Sequence, residues 1–197
     1  MSHDRAVLTP TLADALWPAS GQAPAALRLG ALALLGTLLL TASAKLQVPF
    51  WPVPMTMQPA VVLLLGVAYG PRLAVATVLL YLAEGAAGLP VFAGTPEKGI
   101  GLAYMAGPTG GYLAGFVAAA AIAGLAAERS RGMLGTALAL ALATAAIYLL
   151  GASWLATFVG AEKAVALGVA PFLLGDLAKL ALTVALAEAG LRHLRRP

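Results

Sequence analysis

Asp176 and Lys179 interrupt an otherwise oily run, PFLLGDLAKLAL (171–182). Three residues apart, they share one face of a helix. A carboxylate only accepts hydrogen bonds; an ammonium donates three and accepts none. Side by side they suit a ligand group that sets N–H donors next to a C=O acceptor. The alternative is a neutral ion pair that fixes helix packing. In a membrane span each charge costs roughly 2.5–3.5 kcal/mol at the bilayer centre. A dry pair can be disfavoured by desolvation even when well formed. A polar ligand would supply the extra bonds, so a cavity role is the favoured reading.

Other residues point the same way. Glu84 lies one turn after Tyr81 and suits either a cavity or an interfacial carboxylate. The stretch KLQVPFWPVPMTMQ (45–58) opens a segment with four prolines between positions 49 and 59, which forbids a regular helix there. Non-helical backbone at membrane depth needs protein or a wet cavity around it. Phe50, Trp51, Met55 and Met57 give that loop an apolar surface, and Thr56 and Gln58 give it polar tips. A lid over a pocket fits; an interfacial anchor is the alternative for Trp51. In GPTGGYLAGF (107–116), Pro108 and Thr109 read as a helix entry. Gly107, Gly111 and Gly115 share a face that favours close helix packing, and Tyr112 suits a pocket wall or a packing role.

The elements that position these residues follow from composition. Of 197 residues, 61% are hydrophobic and only 10% charged, against about 25% charged in soluble domains. So few charges cannot cover the surface of a water-soluble domain, and an all-α polytopic membrane protein is expected. There are no cysteines, hence no disulfide framework or thiolate metal site. No GxxxxGK[ST] loop is present, so nucleotide hydrolysis by that route is excluded. His3 and His193 sit in polar ends and offer no catalytic cluster. The chain reads as a carrier and not an enzyme, with no metal or cofactor. The arginines are explained by topology, so nucleic acid is not an expected partner.

Charge-free runs place six spans near 26–45, 57–70, 72–88, 108–127, 133–152 and 168–191, the second and third short. Residues 89–106 read as a partly re-entrant loop, and 153–167 as an extension of the fifth helix or an interfacial segment. Six spans put Arg5, Arg28, Arg72, Arg129, Arg131, Arg192, Arg195 and Arg196 on one side, and Lys45, Lys98 and Lys163 on the other. By the positive-inside rule both termini are cytoplasmic, in a single membrane domain over 25–197. Residues 1–24 form a polar cytoplasmic leader without signal-peptide features. Leu8, Leu12, Leu16 and Trp17 allow it a short amphipathic stretch on the surface; a poorly ordered leader is the alternative.

Four ordered pieces, VPMTMQ (53–58), GLPVFAG (88–94), GPTGGYLAGF (107–116) and PFLLGDLAK (171–179), resemble the BioY family of biotin-binding S components of energy-coupling-factor transporters. The resemblance covers about residues 28–190. It implies a six-helix protein of the bacterial inner membrane with a biotin pocket near the outer side. It also implies a transmembrane coupling subunit and two cytoplasmic ATPases as partners. In that light Asp176 and Lys179 would meet the ureido group. Tyr112 and the Trp51 region would pack on the rings, with Gln58, Phe92 and Glu84 as further pocket candidates. Lys98, and after it Lys45, is the candidate for the tail carboxylate. TPEKGIG (95–101) departs from the simpler glycine-rich stretch expected there. Ala26, Gly30, Ala33 and Thr37 match a small-residue docking seam for the coupling subunit, or serve packing within the chain. The rival readings are an S component for another vitamin, an autonomous permease, or an assembly protein using Asp176–Lys179 as packing glue.

Overall fold

The computed structural model describes residues 11–18, 24–49, 51–129 and 132–194, without the side chains of residues 15, 16 and 191–194. His3, Arg5, Leu8, Phe50, Arg131, Arg195 and Arg196, and the side chains of Leu16, Arg192 and His193, lie outside the described residues. In chain order the elements are α1 (Leu12–Leu16), α2 (Ala25–Lys45), β1 (Gln47–Val48), β2 (Met55–Thr56), α3 (Gln58–Ala86), α4 (Gly101–Met105), α5 (Gly110–Arg129), α6 (Met133–Val159), α7 (Ala161–Gly168) and α8 (Leu173–Leu194). A 3₁₀ turn, Ala170–Phe172, joins the last two. The molecule is helical, as expected, apart from the two-residue ribbon inside the proline-rich loop, where Gln47 pairs with Thr56 and Val48 with Met55.

Among the described residues, five helical segments are long and apolar enough to cross a membrane: α2, α3, α5, α6 and the stretch Ala161–Gly190. The 21 residues of α2 rise about 31 Å, close to the roughly 30 Å hydrocarbon core. α3 is not straight. Gly70 takes φ 74° and ψ 171°, and Pro71 follows. Glycine alone enters that region without steric cost, and proline suits the first turn of the arm that follows. In a straight helix Gln58 and Tyr81 would stand about 35 Å apart. Instead, Gln58 Nε2 donates to Tyr81 Oη at 2.9 Å. The chain doubles back at Gly70, and the two arms lie side by side, roughly 18 and 24 Å long by helical rise. The stretches 57–70 and 72–88, expected as separate short spans, coincide with the two arms of this one folded helix, a single candidate span.

Other boundaries differ from expectation. α6 runs past 152 to Val159, which is the helix-extension reading of 153–167, and ends at Gly160, whose φ is 84°. The expected sixth span opens later, at Leu173, after the turn at Pro171. α5 begins at Gly110, and Thr109 precedes it, its carbonyl accepting the N–H groups of Tyr112 at 3.1 Å and Leu113 at 3.3 Å.

Small residues set the packing. α5 lies between α3 and α6. A methyl group at Gly66 would meet Ala123 and the α5 backbone, and one at Gly124 would strike the backbone of Gly70 and Pro71. On its other face Gly111 sits against Leu150 and Trp154, and Gly115 against Ile147. Without a hydrophobic drive between helices in lipid, such close approach supplies the van der Waals contact that holds the bundle.

The leader supplies α1. Thr11 caps it: its hydroxyl accepts the Asp14 N–H at 3.1 Å, and the Asp14 carboxylate accepts the Thr11 N–H at 3.0 Å. Buried Arg28 donates to Ala13 O at 3.0 Å and Asp14 Oδ1 at 2.8 Å. Burial opposes ionisation of Asp14, but the bonds from Thr11 and Arg28 outweigh it and hold its carboxyl below its ordinary value. Leu12 lies against Gly190 and the Thr11 methyl against Gly70. α1 therefore closes the arginine-bearing end of the bundle.

Gly124→Ala is expected to cost about 1–3 kcal/mol through backbone overlap. Gly30→Ala, which meets open space, should be neutral or slightly stabilising. Thermal unfolding of the two variants in one detergent checks the contrast.

Candidate functional site

A narrow cleft with about 560 Å³ of unfilled space, its open mouth included, lies among the proline-rich loop, α3, α5, α6 and α8. Val53, Pro54, Met55 and Thr56 form the loop side. Tyr112, Leu113, Phe116, Ile147 and Phe172 make the apolar wall. The polar wall is Gln58, Tyr148, Asp176 and Lys179.

The ion pair anchors the polar wall. Lys179 Nζ donates to Asp176 Oδ1 at 2.7 Å and to Thr56 O at 2.7 Å. Tyr148 Oη donates to Asp176 Oδ2. Asp176 sits in the first turn of α8, where the helix dipole favours a negative charge. Side-chain exposures of 13% for Lys179 and 11% for Asp176 keep the pair largely out of solvent, yet both reach the cleft. Counting valences among the described residues, Lys179 retains one N–H, and Asp176 about two of its four lone-pair sites. The pair is held but not saturated.

Around it the wall is braced. Gln58 donates to Tyr81 Oη, and Tyr81 Oη donates to Val91 O at 3.0 Å. Tyr112 Oη donates to Gly168 O at 2.7 Å, fastening α7 to α5. The Tyr112 ring fills the space over Gly151, where a methyl would overlap it. Tyr104 Oη donates to Ala93 O at 2.6 Å, which places Ala93 on the cleft wall.

The residues singled out in the sequence divide accordingly. Asp176, Lys179, Tyr112 and Gln58 come together in the cleft. Phe92 does not line it: buried, it stacks on Tyr104 with ring centroids 5.0 Å apart and covers Gly85. Glu84 is half-buried outside the lining. Trp51 is 75% exposed, on the outer side of the loop. Lys98 is exposed, its stem against Gly94. Lys45 has its ammonium fully engaged, donating to Phe92 O at 3.0 Å, Thr95 O at 2.9 Å and Thr95 Oγ1 at 3.0 Å. Its role here is to clamp the 92–95 loop. Along the small-residue seam, Ala26 and Gly30 are exposed, Ala33 is half-buried and Thr37 is buried.

Tyr148 is not among the sequence candidates. The available signal is a phenol inside the charge-free run 132–161, since a buried tyrosine hydroxyl usually finds a partner. What the sequence lacks is the pairing of α6 with α8 that supplies Asp176.

Apolar helices around a cleft whose polar wall is an unsaturated ion pair define a multi-pass membrane protein built to hold a small polar ligand. The chain belongs to the BioY family, whose model matches residues 18–196. It is 42% identical over 150 residues to a probable biotin transporter BioY of Pyrococcus horikoshii, the match covering 76% of this chain and 88% of that one. It is 36% identical to the biotin transporter BioY of Thermotoga maritima, over 77% and 88% of the two chains. In fold it matches the crystal structure of the S-component for biotin from an ECF-type ABC transporter, with a TM-score of 0.72. That match covers 87% of this chain and 93% of the other at 23% identity, so it speaks to the fold.

Lys45→Met should leave the 92–95 carbonyls without their shared donor. Cleavage in the 95–100 segment under limited proteolysis is then expected to quicken several-fold, while the unfolding temperature of the helical bundle moves little.

Proposed function

We propose that this chain is the biotin-binding uptake component of a vitamin transporter, energised by a separate ATPase module. One observation carries the reading: the Asp176–Lys179 pair faces the cleft with unused valences of both kinds. Biotin's ureido group has two N–H donors and one carbonyl. An N–H meets the open sites of Asp176, and the carbonyl meets the remaining N–H of Lys179. The apolar bicycle then lies along Phe116, Ile147, Phe172 and Tyr112. These neutral walls have little to offer a charged or strongly polar body, which favours a ligand with a small polar head.

The valerate carboxylate needs a cation or N–H donors. Lys98 is the proposed partner, since Lys45 has its three N–H groups committed. Trp51, Glu84 and Phe92 remain outside the first contact set unless the loops shift on binding; for Trp51 that shift is a folding of the proline-rich ribbon over the mouth.

Counting the arms of α3 separately gives six crossings, with both termini and the Arg28, Arg72 and Arg129 ends on the cytoplasmic side. The membrane is the bacterial inner membrane. No GxxxxGK[ST] phosphate loop is present in the sequence, in keeping with ATP hydrolysis by a separate module. The expected partners are a transmembrane coupling subunit and two cytoplasmic ATPases. Ala26, Gly30 and Ala33 offer a close-approach face to the first, while buried Thr37 is left to internal packing.

The purified chain should retain biotin detectable by mass spectrometry and bind it saturably in detergent or nanodiscs. Asp176→Asn and Lys179→Met are each expected to weaken binding at least about tenfold, or 1.4 kcal/mol. The double variant should fall short of the product of the two, because both act on one ligand group. Absence of saturable biotin binding by the folded wild type, or displacement by an unrelated vitamin, would defeat the proposal.

A further inference from the structure

We propose that Tyr148 determines specificity: by committing its hydroxyl hydrogen to Asp176, it makes this end of the cleft select a cyclic urea over a cyclic guanidine. The inference rests on the biotin reading above and sharpens it.

The direction of the Tyr148–Asp176 bond is fixed by inventory. Lys179 already donates to Asp176 Oδ1, and an ionised carboxylate beside that ammonium has no hydrogen to give. Tyr148 Oη must therefore be the donor to Oδ2. A phenol has one hydrogen, so none is left for a ligand. Lys179 has spent one N–H on Asp176 and one on Thr56 O. A ligand head group arriving here meets the open lone pairs of Asp176, whose charge is already shared, and a single donor at Lys179.

A cyclic urea satisfies that pattern with N–H donors and one carbonyl. A cyclic guanidine replaces the carbonyl by a further N–H group, protonated at neutral pH. It then offers Lys179 no acceptor and sets a positive charge near the ammonium. The Asp176 charge could offset this, but one of its oxygens is already shared with Lys179 and the other with Tyr148. The phenol thus works by drawing on the carboxylate charge that would otherwise compensate a guanidinium, while it holds Oδ2 in place for a urea N–H. Discrimination of this kind, built from unpaired donors and like charges facing the wrong ligand, is how a site rejects a close analogue.

The bland alternative is that the bond only ties α6 to α8. The two differ in what removal of the hydroxyl does to two ligands of nearly equal shape. A tie that loosens weakens both alike. Removing a hydroxyl that positions Asp176 and shares its charge weakens the urea and relieves the guanidine.

The test measures equilibrium binding of biotin and of 2-iminobiotin, its cyclic guanidine analogue, to the full chain at neutral pH, for wild type and Tyr148→Phe. Tyr148→Met, which also lacks the hydroxyl, serves where the phenylalanine variant does not fold. Wild type is expected to prefer biotin by about a hundredfold or more. The variant should bind biotin about tenfold more weakly and should narrow the biotin-to-iminobiotin preference at least about fivefold. Equal weakening of both ligands, leaving the ratio unchanged, overturns the inference and leaves the biotin reading standing. Failure of folded wild type to bind biotin at all overturns both.

Discussion

The structure depends on one constraint: a carboxylate and an ammonium placed in apolar surroundings must be supplied with partners. Asp176 and Lys179 supply each other through the helical register, but neither can be completed from α8 alone. Tyr148 comes from α6 and Thr56 O from the proline-rich loop. Three elements far apart in sequence are thereby drawn to one point. The carbonyl of Thr56 is available because the proline-rich loop forms no helix that would consume it. The prolines that break that segment and the lysine that needs an acceptor are complementary parts of one site.

Small residues let the other elements reach that point. α5 approaches both α3 and α6 closely because Gly124, Gly111 and Gly115 have no side chains to hold the backbones apart. Its tyrosine, Tyr112, then lies over Gly151 and reaches Gly168. The fold at Gly70 has the same consequence for α3. By doubling back, it brings Gln58 beside Tyr81, so the start of one arm and the end of the other brace the same wall. A straight α3 would separate these groups by most of a membrane thickness.

How much of this the sequence discloses depends on the kind of signal. Charge-free runs mark the helices well, because burial in lipid forbids charges almost without regard to tertiary packing. The ion pair is equally plain, since an oily run keeps two charges only where they pair or bind. Gln58 and Tyr112 follow from their position near those signals. Trp51, Glu84 and Phe92 lie outside the cleft lining for a shared reason: an aromatic or carboxylate near a membrane surface has several good environments, and the choice is made by neighbours from other elements. Phe92 finds Tyr104 and the bare surface of Gly85, and nothing in the order of residues announces that contact. Tyr148 is the opposite case. Its partner stands twenty-eight positions away, on a helix whose pairing with α6 no local pattern fixes. The extension of α6 to Val159 is one of the two readings the sequence leaves open for 153–167, and the Thr157 hydroxyl, bonded back to Trp154 O, does not interrupt the helix.

Lys45 and Lys179 show how donor counting separates a saturated brace from an open donor. Both ammonium groups have three hydrogens. Lys45 meets three neutral oxygens, two backbone carbonyls and a hydroxyl, all within one short loop. Every hydrogen is used, so the group has nothing to offer a ligand without first releasing the loop. Lys179 meets one carboxylate oxygen and one carbonyl, and then stops at the edge of a cleft. Its third hydrogen has no partner among the described residues, in surroundings where an unmet donor is costly. A fold that merely needed to neutralise Asp176 would do better to finish that valence from its own backbone, as it does for Lys45. Leaving it open makes sense where a molecule from outside completes it, and the neutral carbonyl of a urea does so without adding a charge to be desolvated.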